Sequence, residues 1–149
     1  MKKIFTIIAL TVLFNTNAQI DDNSSDVSAT GSFSVAMGYE TTASGYGSTA
    51  MGGGTTASGN YSTVMGDATT ASGVGSTAMG GGTTASGNYS TVMGGYTLAS
   101  GYASTAMGES TSASGYYSTV MGLNSKASDY GSLVIGQNNS SGSSVTNSA

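Results

Sequence analysis

The chain contains no histidine, cysteine, tryptophan, proline or arginine. Without histidine or cysteine there is no imidazole general base, no Ser-His or Cys-His nucleophile, no thiolate or imidazole metal ligand and no disulfide. Cations are scarce too: three lysines stand against seven acids, a net charge of -4. A phosphate-binding surface has little to build on, and nucleic acid is excluded as an expected partner. What fills the 149 positions is small: 27 serines, 21 threonines and 24 glycines, 72 residues together. The apolar remainder is largely alanine, valine and methionine, so the length of one domain comes without the material for a thick core. No catalytic, cofactor-binding or metal-binding residue is assigned, and the chain is read as a non-enzyme. The acids within the repeats, Glu40, Asp67, Glu109 and Asp129, lie singly and far apart, and an Asp-per-turn calcium pattern is absent.

The beginning of the chain reads as an address. Met1, Lys2 and Lys3 precede an eleven-residue apolar run, Ile4 to Phe14, and a polar stretch ending in the small Ala18. That is the layout of a secretory signal peptide over residues 1–18, and the run is too short to span a bilayer. Cleavage after Ala18 leaves Lys126 alone against the seven acids. Residues 19–29 (QIDDNSSDVSA) are acidic and aperiodic and are expected to form a flexible leader.

From Thr30 to Ser141 one motif of 14 residues is written eight times, as in SGYGSTAMGGGTTA and SGNYSTVMGDATTA. Ser48 to Gly66 recurs letter for letter at Ser76 to Gly94, two repeats on. A short fixed period signals a solenoid whose units bury their faces only against neighbours. Residues 142–149 form a degenerate tail.

The columns within the repeat specify two short strands per turn. Position 5 is always Ser, position 7 Ala or Val, and position 9 Gly; position 8 is Met in seven repeats and Ile in the last. Because side chains alternate along a strand, positions 5, 7 and 9 share one face and 6 and 8 the other. A second run sets positions 12, 14 and 2 (Thr, Ala, Gly) against 13 and 1 (Thr, Ser). Only the small sets fit a narrow interior. The column Met37, Met51, Met65, Met79, Met93, Met107, Met121 and Ile135 then lines the outside for about 38 Å at the usual strand spacing. An apolar ridge of that length calls for another copy to cover it, so this column is the expected subunit interface. The alternative packing places Met inside and the small residues outside, which the flexible thioether permits.

All nine tyrosines occupy corner positions. Tyr, Ser, Gly and Asn concentrated on loops is the composition of adaptable binding surfaces, which makes Tyr46, Tyr61, Tyr89, Tyr102, Tyr116, Tyr117 and Tyr130 candidate ligand contacts. The competing reading is that they only shield the corners. Asn60 to Ser62 and Asn88 to Ser90 match a glycosylation pattern and are read as turn residues.

The repeats, and especially Phe33 to Thr41 (FSVAMGYET), resemble the YadA-like head of trimeric autotransporter adhesins over Thr30 to Ser141. That resemblance implies an all-β, left-handed parallel β-roll (β-solenoid) that is trimeric about its long axis. It also implies display at the bacterial cell surface or outer membrane, and adhesion to host matrix or cell-surface proteins. Position 8 holds Met where such heads commonly have Ile. No heptad stalk or barrel strand follows, so the chain reads as a fragment whose membrane attachment depends on an anchor it lacks. The expected function is an exported adhesin head working by multivalent, non-catalytic binding. A structural fibre protein associating through open ends is the alternative. An ice-binding solenoid using the Thr-x-Ser ranks of positions 13 and 1 is the weaker one, since Leu98 and Lys126 interrupt those ranks.

Overall fold

The computed structural model describes residues 18–20 and 26–141. Apart from Ala18, the expected signal peptide lies outside these residues, as does the tail at 142–149. Every 14-residue repeat forms one coil of a parallel β-solenoid. Positions 6–10 make a long strand, from Val35–Tyr39 through Thr77–Gly81 to Leu133–Gln137; positions 13–14 make a short one, from Thr42–Ala43 to Lys126–Ala127. Among the described residues the long strands stack into a nine-stranded sheet and the short ones into an eight-stranded sheet, with every pairing parallel.

Register is unbroken from coil to coil. Met51 pairs with Met65 and Met65 with Met79, and Ala57 with Ala71 on the opposite sheet. Backbone amides donate from one coil to the next, as in Thr49 N to Ser62 O (2.9 Å) and Thr56 N to Thr69 O (2.9 Å). A period of 14 thus superposes identical side chains, and a one-residue slip would exchange the Met and Ala columns between faces.

The interior is as thin as its residues. Ala36, Ala50, Ala78 and Ala106 alternate with Val64, Val92 and Val120 at position 7, facing Ala43, Ala57, Ala71, Ala85, Ala99 and Ala113 at position 14; all are fully buried. The Ser column at position 5 and the Thr column at position 12 are buried beside them. Some of their hydroxyls tie the corners to the core, while those of Ser34, Thr41, Ser48, Thr55, Ser62, Ser90 and Thr97 are buried without a hydrogen-bond partner among the described residues. Ser76 Oγ donates to Gly73 O (2.7 Å), and Thr69 Oγ1 reaches Asp67 O (3.0 Å) and Gly80 O (3.1 Å). The small side chains are therefore inside and the methionines outside, which decides between the two packings.

Two expectations change. Position 9 does not line the interior: Gly52, Gly66, Gly80, Gly94, Gly108 and Gly122 are exposed, with φ between +113° and +133°. A Cβ on Gly80 would sit 1.9 Å from the Gly94 carbonyl oxygen of the next coil. The column is glycine because its missing side chain would point along the solenoid axis into the neighbouring backbone. The segment expected as a flexible leader is partly built into the fold. Ala18–Ile20 pairs with Val35–Met37, and Ser28–Ala29 pairs with Thr42–Ala43. Val27, 5% exposed, takes the interior place that Thr holds in later coils, so Val27-Ser28-Ala29 substitutes for Thr-Thr-Ala.

Candidate functional site

Two continuous surfaces run the length of the solenoid. On the outer face of the long-strand sheet, Met37, Met51, Met65, Met79, Met93, Met107, Met121 and Ile135 follow one another in register. The methionines are half-buried by their own neighbours, whereas Ile135 in the last long strand is 59% exposed. Beside them position 6 adds Val35, a line of half-buried threonines and finally the exposed Leu133. The result is a straight ridge, with the unbranched, adaptable methionines along most of its length and no charge in it.

The second surface is the corner formed by positions 2–5. The position-5 amide bonds the position-2 carbonyl, as in Ser76 N to Gly73 O (3.2 Å), and position 4 is left-handed: Phe33, Tyr61, Tyr89 and Tyr117 have φ of 59–61°, as do their glycine counterparts Gly47 and Gly75 at 61–62°. These are the features of a type II turn, whose third residue is ordinarily glycine. Holding an aromatic residue there costs about 1–2 kcal/mol relative to glycine.

The rings form a zigzag that reading the columns singly does not reveal. In the coils that follow Phe33, Tyr89 and Tyr117 position 3 is aromatic, while in the coil after Tyr61 it is Val74. Phe33 meets Tyr46 edge-on (5.4 Å between ring centres), and Tyr46 meets Tyr61 (5.3 Å). After Val74, Tyr89 meets Tyr102 (5.6 Å), Tyr102 meets Tyr117 (5.5 Å) and Tyr117 meets Tyr130 (5.5 Å). Tyr116 packs tilted against Tyr102 at 6.1 Å. Each edge-on pair is worth about 0.5–1.5 kcal/mol beyond its buried area.

Room for this pattern comes from a small residue in the alternate coils, Gly47, Gly75, Ala103 and Gly131: a Cβ on Gly75 would lie 2.9 Å from Tyr89 Cδ1. Asn60 and Asn88 fix the corner from beside the rings, accepting from Tyr46 N and Val74 N at 3.0 Å each. The structural unit is thus two coils, and the verbatim recurrence of Ser48 to Gly66 at Ser76 to Gly94 is that unit repeated.

All seven candidate tyrosines lie on this one corner and are exposed, from Tyr102 at 36% to Tyr130 at 77%. Phe33 belongs with them and was not among the candidates; the signal that finds it is the alternation between positions 3 and 4 in successive repeats. Tyr96 stands at the other corner, and Tyr39 ends the first of the repeat's long strands. A hydrogen bond from the Tyr39 phenol to the Glu40 carboxylate, reinforced by that negative charge, raises the phenol above its ordinary pKa. Among the described residues no three His, Cys, Asp or Glu side chains come together as a metal site would require.

Repeated coils, a small-residue interior and an apolar outer ridge define a parallel β-solenoid of the adhesin-head type. The family model described as the YadA head domain repeat (2 copies) matches residues 29–55, 43–69, 71–97, 99–125 and 113–139. The chain belongs to this family. Each match spans two coils, the same unit that the aromatic zigzag marks. Heads of this family form trimers, and the family implies an adhesive or structural, surface-exposed role. No curated protein matches the chain.

Proposed function

We propose that this chain is the head of an exported, surface-displayed adhesin that assembles as a homotrimer through the Met column and binds host matrix or cell-surface partners without catalysis. The in-register column from Met37 to Ile135 on the outer face carries this reading. Mutual packing leaves the methionines only half-buried within one protomer, and a second and third copy would complete their burial. Trimerisation presents three aromatic corners in parallel, so weak contacts repeated along each coil gain strength through valency.

Light scattering on the full chain tests the assembly, beside a variant carrying Met65→Glu, Met79→Glu and Met93→Glu. The expected result is a trimer mass that falls to the monomer in the variant. A monomer in both proteins, or a trimer in both, refutes the Met interface. Adhesion is tested separately by binding of the chain to immobilised matrix proteins and to cells, and binding to neither refutes the adhesin reading.

A further inference from the structure

The geometry points to a neutral, linear polysaccharide as the ligand of the aromatic corner, lying along the solenoid axis and seated on Phe33, Tyr61, Tyr89 and Tyr117. This deepens the adhesin reading and rests on it in one respect, that the corners are the contact surface.

The spacing comes first. Position-4 rings recur every second coil, about 9.6 Å apart at the standard separation of adjacent strands. In a β-1,4-linked chain successive sugars are turned over, so the same face returns once per disaccharide, a length close to two coils. Tyr61 and Tyr89 are placed alike over the coil before each, a Cβ on Gly47 or Gly75 lying 3.1 or 2.9 Å from the ring's Cδ1. The intervening rings stand at 73–77° to them in the pairs Tyr46–Tyr61, Tyr89–Tyr102 and Tyr102–Tyr117. Aromatic rings bind pyranose units through the apolar C–H face of the sugar, and a row of equally spaced rings suits a polymer.

Chemistry narrows the class further. Positions 1–4 carry no charged side chain in any repeat before Asp129 in the last. Beside the rings run the exposed hydroxyls of Ser44, Ser58, Ser72, Ser86, Ser100 and Ser114, donors and acceptors suited to sugar hydroxyls. A polyanionic glycan finds no cation on this corner, and the excess of acids over lysines repels it. Gly47, Gly75, Ala103 and Gly131 occupy position 4 in the alternate coils; Phe33, Tyr61, Tyr89 and Tyr117 hold the same left-handed conformation against their own preference, as do Ala103 and, at the opposite corner, residues such as Ala68 and Tyr96.

The test uses the full chain with cellohexaose and hexa-N-acetylchitohexaose, neutral β-1,4 hexasaccharides, followed by calorimetry and by tyrosine emission, which no tryptophan obscures. The variant carries Tyr61→Gly, Tyr89→Gly and Tyr117→Gly, replacements that the alternate coils already accommodate; circular dichroism verifies its fold. Tyr96→Gly, at the opposite corner, is the control. Expected is binding of at least one hexasaccharide, weakened about tenfold or more in the triple variant because a few central aromatic contacts carry most of such an interface, and unchanged in the control. Equal affinity of the folded triple variant and the parent chain overturns the assignment of the corner. Absence of hexasaccharide binding by a chain that still adheres to matrix protein overturns the polysaccharide while leaving the adhesin reading in place. Absence of both overturns both.

Discussion

Gly80 and Gly81 are neighbours in one strand, and the fold assigns opposite signs to the same substitution at each. At Gly80 the backbone has φ +120°, and an added Cβ would lie 1.9 Å from Gly94 O, 2.9 Å from Gly94 C and 3.0 Å from Gly94 N. Nothing in that list is a flexible side chain, so only separation of the two coils can relieve the overlap. A residue with a side chain in this region costs about 1–3 kcal/mol in backbone strain alone. Disturbing one or two ladder hydrogen bonds adds about 1 kcal/mol each. Gly80→Ala is therefore expected to destabilise by about 2–4 kcal/mol. Gly81 has nothing within 4 Å of an added Cβ and no positive φ. Gly81→Ala restricts the unfolded chain without straining the folded one and is expected to stabilise by about 0.4–1 kcal/mol. Urea unfolding followed by circular dichroism at one fixed protein concentration reads both, since assembly makes the midpoint concentration-dependent. For a slope of about 2 kcal/mol per molar urea, Gly80→Ala lowers the midpoint by about 1–2 M, and Gly81→Ala raises it slightly. Equal midpoints for the two variants would refute the axial reading of position 9.

Val92 is fully buried with Ala78 and Ala106 as its register neighbours, so Val92→Ala leaves a gap that small neighbours cannot fill and should cost about 2 kcal/mol in the same unfolding assay. The phenol of Tyr39 is held protonated to higher pH by Glu40; Glu40→Gln removes the charge and should lower the pH at which this tyrosine ionises. A spectrophotometric titration of the parent and variant checks the direction, and identical curves would count against the contact.

Much of this architecture was legible in the residue columns, for a physical reason. A column that admits only Ser, or only Ala and Val, reports a steric limit, and the structure buries Ser34 through Ser118 and Ala36 through Val134 accordingly. The outward placement of Met followed from the same alternation. Alternation misled at position 9, because it assumes ordinary extended backbone, whereas these glycines turn their missing side chain along the axis. The entry of Val27-Ser28-Ala29 into the first coil was obscured by its change of residue types, although size is nearly preserved at each place, Val27 standing in shape but not in polarity for the interior Thr. The aromatic corner was legible as a composition and illegible as an arrangement. Its contacts run diagonally between position 4 of one coil and position 3 of the next, so neither column alone contains them.

The alternation of aromatic and small residues at position 4 also dictates how such a protein can change length over evolutionary time. Removing 28 residues returns every ring to a small residue, Gly or Ala, in the coil before it, and shortens the solenoid by about 9.6 Å with its pattern intact. Removing 14 places like against like: Tyr61 would meet the aromatic ring of a preceding coil where Gly47 now makes way. Identical stretches such as Ser48 to Gly66 and Ser76 to Gly94 are natural crossover points for recombination. Lineages of this chain should therefore differ by pairs of coils, growing and shrinking in steps that the corner can absorb.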